Sequence, residues 1–134
     1  VDTGLLCHLL GIHSPEELSR HASRGQVFEN GVILEAMKAG SAIGYDPQMH
    51  FWRDTVGNEV DLVASVRGQT VAIEAKSGET AAPSMLKGLR YFRTHSGIEA
   101  KPILAYAGEH THAMKAAHAI PWTRLGKVLQ DSWR

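Results

Sequence analysis

Glu59-Val60-Asp61-Leu62-Val63-Ala64-Ser65-Val66-Arg67-Gly68-Gln69-Thr70-Val71-Ala72-Ile73-Glu74-Ala75-Lys76 is the stretch on which the reading of this chain turns. Apolar residues stand at Val60, Leu62, Ala64 and Val66, then at Val71, Ile73 and Ala75. That is the two-residue period of half-buried strands, and Arg67-Gly68-Gln69 breaks it as a hairpin turn. With a two-residue loop, Arg67-Gly68 or Gly68-Gln69, the numbers of paired residues sum to an odd value. In either register the apolar side chains share one face and Asp61, Glu74 and Lys76 share the other. A three-residue loop would turn Asp61 to the wrong side unless a bulge corrected it.

Two carboxylates on adjacent strands suit a hard divalent cation, Mg2+ or Mn2+, which prefers oxygen ligands and binds phosphate oxygens. Lys76, two residues beyond Glu74, points the same way and can stabilise developing negative charge or orient an attacking water. The same three residues also describe a salt-bridge cluster on a solvated sheet face.

The 134 residues make one domain, with equal numbers of acidic and basic side chains. Nothing in that balance resembles a highly basic nucleic-acid coat protein, so any nucleic-acid contact must come from a local patch. No apolar run is long enough to cross a membrane, and no secretory signal pattern is present. The lone Cys7 reads as a small buried hydrophobe and fits a reducing, cytoplasmic compartment. The chain opens on Val1, not Met, and enters apolar patterning at once, which reads as a C-terminal fragment of a longer protein. Residues 1–24 are expected to be a helical lead-in, 25–107 the core with the site, and 108–134 a C-terminal extension.

A short helix is expected over 4–10, ending at Gly11. A second runs to about residue 22, with Ser14 as N-cap, Pro15 at its first position and Glu17 closing a capping box. Residues 25–38 form the strongest helix, with Phe28 and Val32 on its apolar face and Glu29 at the edge, either a surface acid or a third site carboxylate. A short extended piece is expected over 42–45. Residues 49–54 then hairpin with 59–66.

Beyond the 77–83 loop, Met85, Leu86, Leu89 and Phe92 give a helix to about His95, with Lys87, Arg90 and Arg93 as a basic stripe. That stripe is either a solvated face or a wall that meets phosphates. Lys87 and Tyr91, one turn apart, can flank the cation site. Residues 102–107 read as a buried strand reached by a right-handed crossover. Residues 114–119 fit helix and strand equally, and Thr123 is expected to cap a last helix through Leu129. Among the eight histidines, His110 and His112 lack the spacing of a structural zinc site. There is no nucleophile elbow and no Gly-rich phosphate loop.

A helix with Glu29, a strand with Asp61, a strand with Glu74-Ala75-Lys76, a helix and a buried strand, in that order, resemble the PD-(D/E)XK, or restriction-endonuclease-like, phosphodiesterase superfamily. The resemblance implies an α/β, three-layer fold with a central mixed sheet. More closely, the chain resembles the module found C-terminal to many bacterial and archaeal AAA+-type ATPases. That pattern stands here as Asp2-Thr3-Gly4-Leu5-Leu6, Gly25-Gln26-Val27-Phe28-Glu29-Asn30, Phe51-Trp52-Arg53-Asp54, Glu59-Val60-Asp61-Leu62-Val63, Ile73-Glu74-Ala75-Lys76-Ser77 and Ile120-Pro121-Trp122.

The resemblance implies Glu29, Asp61, Glu74 and Lys76 as catalytic candidates. Asp61, Glu74 and the Ala75 carbonyl would hold Mg2+ or Mn2+, and Glu29 would act through a water. Arg53, Lys87, Arg90 and Arg93 follow as candidate backbone contacts to nucleic acid, DNA above all, with an ATPase domain upstream as partner. Two positions depart from the superfamily: Val60 stands where proline is nominal, and Lys87 stands where RecB-like nucleases carry glutamine. The expected function is a metal-dependent nuclease; the rival is a non-catalytic nucleic-acid-binding or assembly module of an AAA+-type ATPase.

Overall fold

A computed structural model describes residues 2–134, so Val1 of the lead-in lies outside the described residues. The chain opens with α1 (Thr3–Leu9) and α2 (Pro15–Arg20). Asp2 caps α1 by accepting the Leu5 amide at 2.9 Å, and Ser14 caps α2 by accepting the Glu17 amide at 3.1 Å. The Glu17 carboxylate returns to the backbone one residue earlier than expected, taking the His13 amide. Cys7 is only partly buried.

Next come α3 (Arg24–Ala42), β1 (Gln48–Arg53), β2 (Glu59–Val66) and β3 (Gln69–Lys76). The expected extended piece at 42–45 is not formed. Instead α3 runs through Ala42, and the chain turns at Ile43 and Gly44. A 3-10 turn (Pro83–Leu86) leads into α4 (Lys87–His95), followed by β4 (Lys101–Tyr106), β5 (His112–Ala113), β6 (His118–Pro121) and α5 (Trp122–Trp133). The stretch that fitted helix and strand equally is a strand at its end, and α5 outruns its expected end by four residues. Thr123 does not cap it: Pro121 holds the cap position, without a side-chain hydrogen bond.

The six strands form one mixed sheet in the order β1-β2-β3-β4-β6-β5. β1, β2 and β3 are antiparallel, β4 lies parallel to β3 after the α4 crossover, and β6 lies parallel to β4. Residues after 108 thus supply two strands of the sheet, and β6 and α5 give the main core Ile120, Leu125, Leu129 and Trp133. The β2–β3 turn is the two-residue Arg67-Gly68 loop closed by the Val66–Gln69 pair, with φ of 53° and 80° at its two residues. These positive angles match the right-handed twist of the strands. Every β2–β3 pair, such as Leu62 with Ile73, carries the expected odd sum.

One core packs Leu62, Ala64, Val66, Val71, Ile73, Ala75, Ile103 and Ala105 against Val32, Ala36 and Ala39 of α3 and Leu125, Leu129 and Trp133 of α5. The second packs Val60, Val63, Ala72 and Leu104 against Leu86, Leu89 and Phe92 beside and within α4. This corrects the reading of two half-buried strands with Val60 on the face of Leu62. Both faces are covered, and Val60 lies with Val63 under α4. The cause is a bulge: His50 pairs with Val63 but Trp52 pairs with Val60, so Asp61 and Leu62 together oppose Phe51. One extra residue on β2 reverses the alternation beyond it.

Candidate functional site

Asp61 sits in that bulge, where the β2–β3 ladder also ends, its last pair being Leu62 with Ile73. Beyond it the Asp61 side chain replaces the strand backbone as partner: the Ala75 amide donates to Oδ2 at 2.7 Å. Glu74 and Lys76 alternate with Ile73 and Ala75, so they belong to the α4 side of the sheet. There Glu74 is buried, and its Oε1 lies 3.2 Å from Lys76 Nζ. The alternative of a solvated ion cluster does not hold for Glu74, because α4 covers this face.

What lets α4 approach is Gly88. A Cβ at that position would lie 2.1 Å from the Glu59 carbonyl oxygen and 3.6 Å from Glu74 Oε2. The first turn of α4 therefore rests on the β2 backbone and closes over the carboxylate. Glu74 Oε2 has no hydrogen-bond partner and no contact with solvent, a costly state for a carboxylate oxygen.

The electrostatics follow from this burial. Desolvation pushes the Glu74 carboxyl up to about 7, with the Asp61 charge adding to the effect and Lys76 opposing it. Asp61 is also raised, first by burial, against the Ala75 hydrogen bond and the Lys76 charge. Glu29, partly buried on α3, is raised by burial and then by Asp61, with Lys76 opposing. For Lys76 burial acts downward, but the surrounding Glu74, Asp61 and Glu29 carboxylates outweigh it and hold the ammonium form. Asp61, Glu74 and Lys76 therefore act on one another, and Glu29 joins them through Asp61 and Lys76. Among the described residues, no three His, Cys, Asp or Glu side chains form a metal-holding group.

The cations fall less tightly. Lys87, Arg90 and Arg93 are exposed along α4, and Arg53 is exposed at the end of β1, paired in register with Glu59. None of the four joins an ion pair among the described residues. Tyr91 stacks on His95 and lies beside Trp52. His112 is in β5, and its ring centroid is 6.5 Å from that of His110.

A family model described as a domain of unknown function, DUF4143, matches residues 24–125. The chain belongs to the DUF4143 family. Two curated relatives are uncharacterized proteins of Mycobacterium bovis and Mycobacterium tuberculosis, each 32% identical over 109 residues, covering 81% of this chain and 23% of the relative. The chain thus spans about a quarter of the length of the curated relatives it matches. No solved structure matches it.

Within this DUF4143 fold, several site features escaped the sequence reading. Glu59 raises Glu29, Asp61 and Glu74 together. Arg24 clamps the end of β3, giving Nε to Ser77 Oγ at 3.0 Å and Nη2 to the Ser77 carbonyl at 2.9 Å. Its only local signal was a position one residue ahead of the expected helix. A groove of about 910 Å3 runs along α3, lined by Phe28, Leu34, Arg24, Ser77 and Trp122 among others, and Glu29, Asp61, Glu74 and Lys76 do not line it. No helix among the described residues is long and apolar enough to cross a membrane.

Proposed function

We propose that this DUF4143 domain is a metal-dependent phosphodiester hydrolase of the restriction-endonuclease-like type. The observation that carries the reading is the arrangement at the end of the β2–β3 ladder. Asp61 is tied to the Ala75 amide, and the buried Glu74 beside it is ion-paired to Lys76 yet keeps one oxygen without a partner. The mixed sheet, with its carboxylates on the two hairpin strands and a helix crossing to the next parallel strand, is consistent with that fold.

The residues fit a hard cation. All the donors are oxygens, and two neighbouring carboxyls held above their ordinary range are the groups that a divalent charge would restore to carboxylates. Asp61 and Glu74, with the Ala75 carbonyl, would hold Mg2+ or Mn2+, and Glu29 would hold a water beside it. When bound, such a cation supplies polarisation of a phosphoryl oxygen and a more acidic water. Lys76, kept as an ammonium by its acidic neighbours, acts as a charge stabiliser for the phosphate and not as a base. The Ala75 amide fixes the rotamer of Asp61, and α4 keeps bulk water from Glu74.

The test is cleavage of labelled single-stranded, duplex and branched DNA and RNA with Mg2+ or Mn2+, set beside Asp61→Ala and Lys76→Ala. Cutting that both substitutions abolish is the expected result. Cutting that survives them, or no cutting in any substrate, overturns it.

A second reading has its own observation. The 910 Å3 groove along α3, with Trp122 42% exposed at its rim, suits a docked apolar segment better than a phosphate. It supports a non-catalytic assembly module of a longer protein, with an AAA+-type ATPase domain as the partner that the resemblance implies. Loss of partner binding on Trp122→Glu, with Asp61→Ala harmless, is the pattern that this reading expects.

A further inference from the structure

We infer that α4 is a track for single-stranded nucleic acid, with the Tyr91–His95 ring stack as its base platform and Lys87, Arg90 and Arg93 as its phosphate contacts. This names the substrate of the nuclease proposed above and rests on that reading for where the bound strand leads.

The rotation of α4 is fixed by its buried side. Leu89 and Phe92 are each only 2% exposed and packed against the sheet, and Gly88 is pressed on the Glu59 carbonyl. The remaining positions face outward at helical spacing. Tyr91 and His95, four apart, stack with ring centroids 3.9 Å apart and planes inclined by 14°. The His95 ring is steadied by contact between its Nδ1 and the Tyr91 carbonyl at 3.1 Å, and His95 is exposed.

Behind Tyr91 lies Trp52, its ring centroid 6.3 Å away. Trp52 stands edge-on to buried Phe92 at 5.3 Å. The stack is therefore footed in the core and needs no ordering when a base arrives, which lowers the cost of binding. Three cations that join no ion pair among the described residues share the exposed side of α4: Lys87 stands one turn before Tyr91 on the side of the stack, and Arg90 and Arg93 carry the charge across the outer face. Stacked aromatic faces among free cations are the elements of sequence-tolerant single-strand binding.

Why a single strand follows from geometry. A duplex keeps its base faces covered, so the rings would have nothing to stack on. From Lys87 to Arg93 the helix rises only about 9 Å, a span of one or two nucleotides and less than the roughly 12 Å width of a major groove. The first turn of α4 rests on the Glu59 carbonyl, so the Lys87 end of the track lies beside the strand that carries Asp61.

The experiment measures binding of fluorescein-labelled single strands, and of the same sequence as duplex, by anisotropy in EDTA across a salt series, beside metal-dependent cleavage. The single strand should bind more tightly. His95→Ala and Tyr91→Leu should each weaken it roughly fivefold or more with the salt slope unchanged, and His95→Trp should match or exceed the parent. Replacing Lys87, Arg90 and Arg93 together by Ala should reduce the salt slope by about 2. Melting curves of the exposed His95 variants check that the fold is kept.

Equal or tighter duplex binding, or indifference to both ring substitutions, overturns the track. Stack-dependent binding without any cleavage removes the nuclease reading and leaves the track. Cleavage lost in Asp61→Ala but showing no strand preference does the reverse.

Discussion

Asp61 Oδ2 accepts the Ala75 amide at 2.7 Å, so a side chain of β2 takes over the role of a strand carbonyl at the point where β2 and β3 part. The bond holds the two strands of the site together although their ladder has ended. Asp61→Ala removes that acceptor and leaves the amide of the nearly buried Ala75 unpaired, which costs about 1–3 kcal/mol. Asp61→Asn keeps an acceptor and should lose less than half as much. Urea unfolding of both variants separates this structural role from cation binding, because both should lose any stabilisation by Mg2+.

Glu74 makes the metal-free protein sensitive to pH. Its folded carboxyl stands near 7, above the ordinary 4.5. The folded state therefore binds more protons than the unfolded one between these values, and the contribution is full below about 4.5 and is lost as pH rises through 7. Glu74→Gln should raise stability at pH 8 in EDTA by on the order of 2 kcal/mol and give no gain at pH 4. Chemical denaturation at the two pH values checks this, and an equal effect at both would contradict it.

A divalent cation should reverse that relation. Mg2+ or Mn2+ at a hundredfold excess over its dissociation constant adds about 2.7 kcal/mol to a protein that binds it only when folded. Thermal melts should rise with the cation in the parent and stay flat in Glu74→Gln and Asp61→Ala.

Gly88→Ala places a methyl group 2.1 Å from the Glu59 carbonyl oxygen. Relief requires α4 to lift from the sheet, at about 1–3 kcal/mol, and opens Glu74 to water. The carboxyl should then move down from about 7, which carboxylate NMR of a labelled Glu74 would follow.

Arg24→Lys should not rescue Arg24→Ala. The guanidinium reaches the Ser77 hydroxyl and carbonyl together, and also the Ser19 carbonyl, a fork that a point charge does not reproduce. A loss of about 1–3 kcal/mol in both variants is expected, with faster amide exchange at the end of β3.

The hairpin parity, the Ser14 cap, the α4 crossover and the buried strand after it were legible in the chain itself, because each depends on residues a few positions apart and on the fixed periods of strand and helix. Glu74 and Lys76 could be placed on one face for the same reason, an alternation of two along β3, whereas Asp61 sits in a bulge beyond the last β2–β3 pair and joins them through its bond to the Ala75 amide. Helix ends were less legible. α3 ran on to Ala42 because Ala36 and Ala39 bury against the sheet, a tertiary contact that local spacing does not carry.

Only the tertiary structure decided the character of the site. The bulge that moves Val60 under α4 depends on how β1 pairs with β2, a register that no single strand encodes. Glu74 is buried because α4 returns over it through a glycine contact, and burial, not its neighbours in sequence, is the chief cause of its raised carboxyl. Sequence thus determined which groups meet on the hairpin. Packing from distant segments determined how much water they see, and hence what charge they hold.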